Sequence, residues 1–268
     1  MKVTALNLYP VKGLKGVSVD SARCTARGLE RDRRFVVVDA QGTFLTQRSH
    51  PAMATVWTDF VGDELELSLP DRDPVRVPQR PEGGERVRVT VWKSECEAIG
   101  VSRQADAWLS SALGTPCRLL YQPDDSMRFS NVQYAGEGRP VSFADGYAML
   151  AIGEASLADL NAKMAARGGM PLPMNRFRPN LVIGDGAAFA EDGWDTVRVG
   201  EAVLQGVKPC DRCQVTTTDQ ATGELRGPEP LATLLEYRNH PQLGPIFGMN
   251  CVVLREGRIR VGDTVVPA

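Results

Sequence analysis

Residues 86–92, Arg-Val-Arg-Val-Thr-Val-Trp, put Val87, Val89 and Val91 on one side of an extended chain and Arg86, Arg88 and Thr90 on the other. A period of two marks a strand with one face in a core and the other in water. Upstream, residues 63–69 repeat it, with Leu65, Leu67 and Leu69 in phase. Further upstream, the β-branched run Phe35-Val36-Val37-Val38 meets the turn signal Ala40-Gln41-Gly42 and then Thr43-Phe44-Leu45-Thr46, which predicts a hairpin. The chain opens on another strand, Val3 to Tyr9. Downstream, strands are expected at 181–183, 196–199, 202–207, 213–218, 251–254, 258–261 and 264–266.

Helices are few. The pattern predicts one from Ser102 to Leu113, stopped by Gly114, and one from Ser156 to Arg167, with Ser156 as N-cap and Gly168-Gly169 as its end. A third runs from Pro230 to Tyr237, with proline near its start. No regular helix–strand alternation exists, so a doubly wound parallel sheet is disfavoured. The expected class is α+β and mostly β, with barrel-like sheets. The polar stretch from Leu119 to Gly138 reads as a boundary or a long functional loop, and the domains expected are 1–120 and 121–268.

The 268 residues carry 31 Lys+Arg against 33 Asp+Glu, a net charge of -2, which argues against bulk attraction to nucleic acid or anionic membranes. No apolar run is long enough to span a bilayer, and the first ten residues read as a strand and not as a signal peptide. Of six cysteines only Cys210 and Cys213 are close in sequence, so reduced thiols in the cytoplasm are expected. Two histidines, His50 and His240, cannot build a histidine-rich metal centre.

The strongest local feature is Lys208-Pro209-Cys210-Asp211-Arg212-Cys213-Gln214, followed by β-branched residues. Structural zinc needs a second pair of soft ligands, and none exists. A thioredoxin-like dithiol needs a helix after the pair, whereas this composition predicts a strand. A single thiolate ligand to a cofactor metal and two partly buried cysteines in a turn both remain open. Three further stretches carry cations: Tyr9 to Gly16 with Lys12 and Gly13, Arg31-Asp32-Arg33-Arg34, and Asn175-Arg176-Phe177-Arg178-Pro179-Asn180. Each could hold phosphate or carboxylate, and each alone reads equally as a solvated loop. Gly13 and Gly16 lack the Gly-Lys-Ser/Thr ending of a P-loop, and Gly184-Asp185-Gly186 fails as a dinucleotide fingerprint at Phe189.

These landmarks resemble the MOSC family. They are Tyr9-Pro10-Val11-Lys12, Asp32-Arg33, Ser142-Phe143-Ala144-Asp145-Gly146, the run from Glu154 to Asn161, Phe177-Arg178-Pro179-Asn180 and the Cys210–Cys213 segment. The likeness is to two-part members with an N-terminal MOSC β-barrel domain before a MOSC β-barrel domain, a group that includes the amidoxime reducing components. It implies a molybdenum cofactor, molybdopterin, in a pocket between the two domains. It makes Cys213 the metal ligand and catalytic residue. It assigns Lys12, Arg33 and Arg178 to the cofactor phosphate, and places Gly13, Asn180, Asp211 and Arg212 along the cofactor. Gly13 and Asp211 depart from the family, where serine is common at both positions. A loop near the substrate mouth in relatives aligns with Arg48, while His50 reads as a surface residue.

The implied activity is an oxidoreductase that removes oxygen from N-hydroxylated compounds at molybdenum. Electrons would come from a separate ferredoxin- or flavoprotein-like donor, because the chain lacks the clustered cysteines of a plant-type iron–sulfur site. Two other readings stay open. One is a non-catalytic carrier of sulfur or molybdenum cofactor through Cys213, and the other is a Cys210–Cys213 dithiol oxidoreductase.

Overall fold

The computed structural model describes residues 1–268. Its backbone is a nine-stranded sheet with smaller sheets around it. The order runs Val17–Val19, Lys2–Leu8, Leu181–Gly184, Met149–Gly153, Gly244–Arg255, Ala202–Asp211, Thr196–Val199 and Val265–Pro267, with Asn239–His240 paired to Gly244–Arg255. All pairings are antiparallel except Met149–Gly153 with Leu181–Gly184. That parallel pair needs a crossover, which the helix Glu154–Ala165 supplies.

Residues 30–121 build a second body. A four-stranded sheet orders Phe35–Val38, Arg118–Tyr121, Ser94–Gly100 and Arg86–Val91, and a meander joins Trp57–Val61, Glu64–Leu69 and Arg72–Pro78. The valines of 86–91 do face inward: Val89 and Val91 are fully buried with Val36, Val38 and Phe143. Leu65 and Leu67 bury against Val75, Val77, Leu109 and Leu119. The architecture is therefore mostly β with few helices, as the alternation requires. No helix is long and apolar enough to cross a membrane.

The large core draws on both ends of the chain. Val3, Leu6, Leu8, Ala22, Cys24 and Leu29 pack with Leu181, Leu204, Cys251 and Ile259 in the large core. The first strand pairs with Leu181–Gly184, and Ser21–Thr25 pairs with Gly257–Arg260. Local alternation fixes which face of a strand is buried but not its partner in the chain.

Other expectations need correction. Thr43–Thr46 forms no strand; only two isolated bridges remain, Phe44 to Val38 and Thr43 to Thr90. The stretch 119–138 is not an open linker, because Arg118–Tyr121 is an inner strand and Val132–Ala135 a short helix. Ser102 does cap its helix by accepting from the Ala105 N–H, and Gly114 ends it in the left-handed region. Ser156 is no cap. Its helix starts at Glu154, and its buried Oγ donates to Glu191 Oε2 and accepts from the Phe189 N–H. Tertiary partners at 189–191, invisible locally, claim that hydroxyl.

Candidate functional site

The turn after the first strand and the segment 32–35 zip together. Lys12 N–H donates to Phe35 O, Arg33 N–H to Tyr9 O and Phe35 N–H to Pro10 O. Asp32 Oδ1 accepts from the Tyr9 N–H at 2.8 Å, and its other oxygen pairs with Arg33 Nη1 at 2.5 Å. Arg33 is thereby held in the left-handed region (φ 49°), and so is Arg178 (φ 55°). A non-glycine residue persists there only where its surroundings over-determine it, and such residues cluster at ligand clamps. Both guanidinium groups lie over the Tyr9 ring, at 4.6 and 4.2 Å from its centroid.

Arg178 Nη2 donates to Leu14 O at 2.7 Å, and Asn180 Oδ1 accepts from Arg33 Nη1 at 3.1 Å and from the Leu150 N–H at 3.2 Å. Asn180 Nδ2 returns to Asn7 O. Burial lowers the Arg178 guanidinium to about 10, which leaves it charged at neutral pH. Beneath this cluster a reciprocal amide pair, Gln47 with Gln220, ties Gly13 O to Thr218 O. Gly13 itself has φ +85°, and a Cβ there would stand 2.8 Å from Met53 Cε. The positive φ favours glycine here, while the Met53 methyl is the flexible end of its side chain.

The cysteine segment is not the start of a strand. Cys210 and Asp211 end the long strand Ala202–Asp211, and Cys213 precedes a 3-10 turn, Gln214–Thr217. Thr216 and Thr217 hydroxyls donate to Cys213 O and Gln214 O, a local bonding that turns a β-branched run away from extended structure. Cys213 is a free, half-buried thiol. Cys210 Sγ accepts from Arg212 Nη1 at 3.0 Å, and burial pushes the Cys210 thiol up despite that guanidinium. Arg212 Nη2 donates to Phe177 O, while its Nε is buried without a partner. Asp211 is neutralised by Lys208 Nζ at 2.5 Å.

All these segments meet in one cleft of about 930 Å³, its open mouth included. Lys12, Gly13, Arg33, Arg178, Asn180, Asp211, Arg212 and Cys213 all line it. Lys12 is buried (side chain 9% exposed) and pairs with Asp145, whose own side chain is 73% exposed in the cleft. Burial lowers the Lys12 ammonium and Asp145 only partly restores it. Desolvation would raise the Asp145 carboxyl, but Lys12 and the Trp92 N–H outweigh it and hold it below the usual carboxylate range.

The mouth was only partly anticipated. Arg48 does line the cleft and His50 does not. Phe44, Trp92, Asp145 and Tyr147 line it too, without having been assigned roles. Asp145 lies in the Ser142–Gly146 motif, and Trp92 ends the alternating strand, so both carry a local signal. Of the neighbouring arginines, Arg34 turns to Asp124 and Gln122 O, and Arg176 to Thr217 O and Asp219. Neither reaches the cleft.

This donor set suits a cofactor that ends in phosphate and carries a thiophilic metal. It offers two free thiols, Cys210 and Cys213, several cations lining the same cleft, and a buried guanidinium N–H awaiting an acceptor.

The family described as MOSC N-terminal beta barrel domain matches residues 1–116, and the MOSC domain matches residues 138–266. The chain is 33% identical over 285 residues to mitochondrial amidoxime reducing component 2 of Bos taurus, covering 98% of this chain and 82% of that protein. It is 34% identical over 280 residues to mitochondrial amidoxime-reducing component 1 of Homo sapiens, with the same coverage. The Mus musculus component 1 is 34% identical over 279 residues, covering 98% of this chain and 81% of that protein.

Proposed function

This chain belongs to the MOSC family, with a MOSC N-terminal beta barrel domain before a MOSC domain, and from that premise we propose that it is a molybdenum-cofactor-dependent oxidoreductase that reduces N-hydroxylated compounds. The observation that carries the reading is the shared cleft: the Cys213 thiol lines the same cavity as Lys12, Arg33 and Arg178, which come from three distant parts of the chain. Similarity to amidoxime reducing components over 98% of this chain and 82% of theirs supports it.

In this reading Lys12, Arg33 and Arg178 hold the cofactor's phosphate, and Arg212, Asn180 and Asp211 border its body. Cys213 gives the metal its protein ligand as thiolate, the form in which a cysteine coordinates. When bound, the cofactor supplies the two-electron redox centre for removing oxygen from nitrogen. The chain's own contribution is positioning. Asp32 and Asn180 orient Arg33, the Leu14 carbonyl orients Arg178, and Phe177 O anchors Arg212. Phe44 and Trp92, packed edge to face at 4.8 Å, form an apolar wall at the mouth. Electrons come from a separate donor protein.

The test is metal content and turnover after expression in a host that makes molybdopterin. Wild type should retain molybdenum and reduce benzamidoxime with a chemical electron donor, and Cys213→Ala should lose both. Equal, near-zero metal in the two proteins would overturn the reading, as would a persulfide on Cys213 with no retained metal, the signature of a carrier. Cys210→Ser should be milder than Cys213→Ser; equal damage would favour the dithiol chemistry.

A further inference from the structure

The cleft's charges are nearly all spoken for. Lys12 and Asp145 pair, Arg33 and Asp32 pair, Lys208 and Asp211 pair, and Arg178 and Arg212 donate to backbone carbonyls. Arg48 is the exception. Its guanidinium takes part in no ion pair or hydrogen bond in the structure; the only hydrogen bond at this residue is from its backbone N–H to Thr46 Oγ1. It is nevertheless placed, because it lies over the Trp92 ring at 4.6 Å from the centroid. Trp92 in turn is fixed from two sides. Its indole N–H donates to Asp145 Oδ1 at 2.9 Å, and its ring meets Phe44 edge to face. Its backbone sits at φ 56°, in the left-handed region.

The result is a flat aromatic wall capped by a cation with free donors, in the same cleft as Cys213. A guanidinium is charged at every working pH and offers a planar fork to a carboxylate. A stacked guanidinium is partly pre-organised, so less freedom is lost when it binds. The two carboxylates that line the cleft each have a cation of their own: Asp145 Oδ1 takes Lys12 and the Trp92 N–H, and Asp211 takes Lys208.

We infer that Arg48 selects among N-hydroxylated substrates, and that the favoured class is planar ring compounds bearing an anionic group remote from the N-hydroxyl. The ring slides along Trp92 and the anion meets the Arg48 fork, while the N-hydroxyl points down the cleft. The inference rests on the proposed reductase activity and names its substrate class.

The experiment compares benzamidoxime with 4-carboxybenzamidoxime on the molybdenum-loaded full chain, with one chemical electron donor throughout. In wild type, kcat/KM should favour the carboxylated compound, with the advantage shrinking as salt rises. Arg48→Gln should cut the carboxylated-to-neutral ratio roughly tenfold, the size of a lost charge-assisted hydrogen bond. Arg48→Glu should invert it, and Arg48→Lys, which keeps the charge but loses the planar fork and the stacking, should retain only part of it. An unchanged ratio in Arg48→Gln and Arg48→Glu, with both compounds still reduced, overturns this inference alone. If loaded wild type reduces neither compound, the reductase reading fails and the selectivity falls with it.

Discussion

Asp145 shows how one side chain can hold a binding wall together before any ligand arrives. It neutralises a buried ammonium and fixes the Trp92 indole with the same oxygen. Removing its charge by Asp145→Asn leaves Lys12 buried without a counter-ion. The cost should be about 1–2 kcal/mol in urea unfolding, below the buried-pair range because the carboxylate side is open to water. The sign with pH follows from its lowered carboxyl. The stabilisation is complete above the ordinary carboxylate range, about pH 4, and is lost as pH falls below it. The melting temperature of wild type should therefore drop further between pH 4 and pH 2 than that of Asp145→Asn. Parallel melting curves would show that the pair contributes nothing. Gly13 is the second case at this scale. Its φ of +85° and the nearby Met53 methyl make Gly13→Ser costly, by about 1–2 kcal/mol. A serine variant as stable as wild type would show that the turn adapts freely.

The helix Glu154–Ala165 carries the one parallel crossover in the large sheet and so joins Met149–Gly153 to Leu181–Gly184. Its first turn is anchored by Ser156 Oγ between Glu191 Oε2 at 2.9 Å and the Phe189 N–H at 2.8 Å. Ser156→Ala should leave a buried carboxylate oxygen and a partly buried N–H short of partners, at a cost of about 1–3 kcal/mol. Amide exchange should accelerate first at 153–160 and 187–192, where the lost bonds lie; an unaltered exchange map would place the anchor elsewhere. The 3-10 turn Gln214–Thr217 matters in a different way. It stops the long strand Ala202–Asp211 one residue before Arg212, so Cys213 leaves the sheet and lines the cleft. Had the β-branched run continued as a strand, successive side chains would have alternated between faces and the segment could not have wrapped the site.

Across the whole molecule, the cleft depends on contacts between residues far apart in the chain. The Gln47–Gln220 pair joins segments 173 residues apart through two amide hydrogen bonds, of 2.9 and 3.2 Å. A double-mutant cycle of Gln47→Ala and Gln220→Ala should give a coupling of about 1 kcal/mol; simple additivity would deny the clamp. How much was legible beforehand follows from the same distinction. Alternation at 64–69 and 86–91 could be read directly, because side-chain period depends only on the local backbone. The cap at Ser102 and the stop at Gly114 were legible for that reason too. Ser156 and the 213–218 stretch were misread because their hydroxyls had a choice of partners, and packing made it. Lys12, Arg33, Arg178 and Cys213 could be named from their motifs, yet nothing in the separate motifs required a common cavity. The sequence by itself determined the mostly β architecture, the buried faces of its strands and the chemical types of the site residues, since these rest on short-range sterics and hydrophobic pattern. Only the tertiary structure decided that Lys2–Leu8 and Val17–Val19 join the large C-terminal sheet, that Asp145 and Trp92 line the cleft, and that Arg48 alone is left unpaired at its mouth. Strand pairing and charge pairing depend on distance in space, and a linear order of residues does not contain that distance.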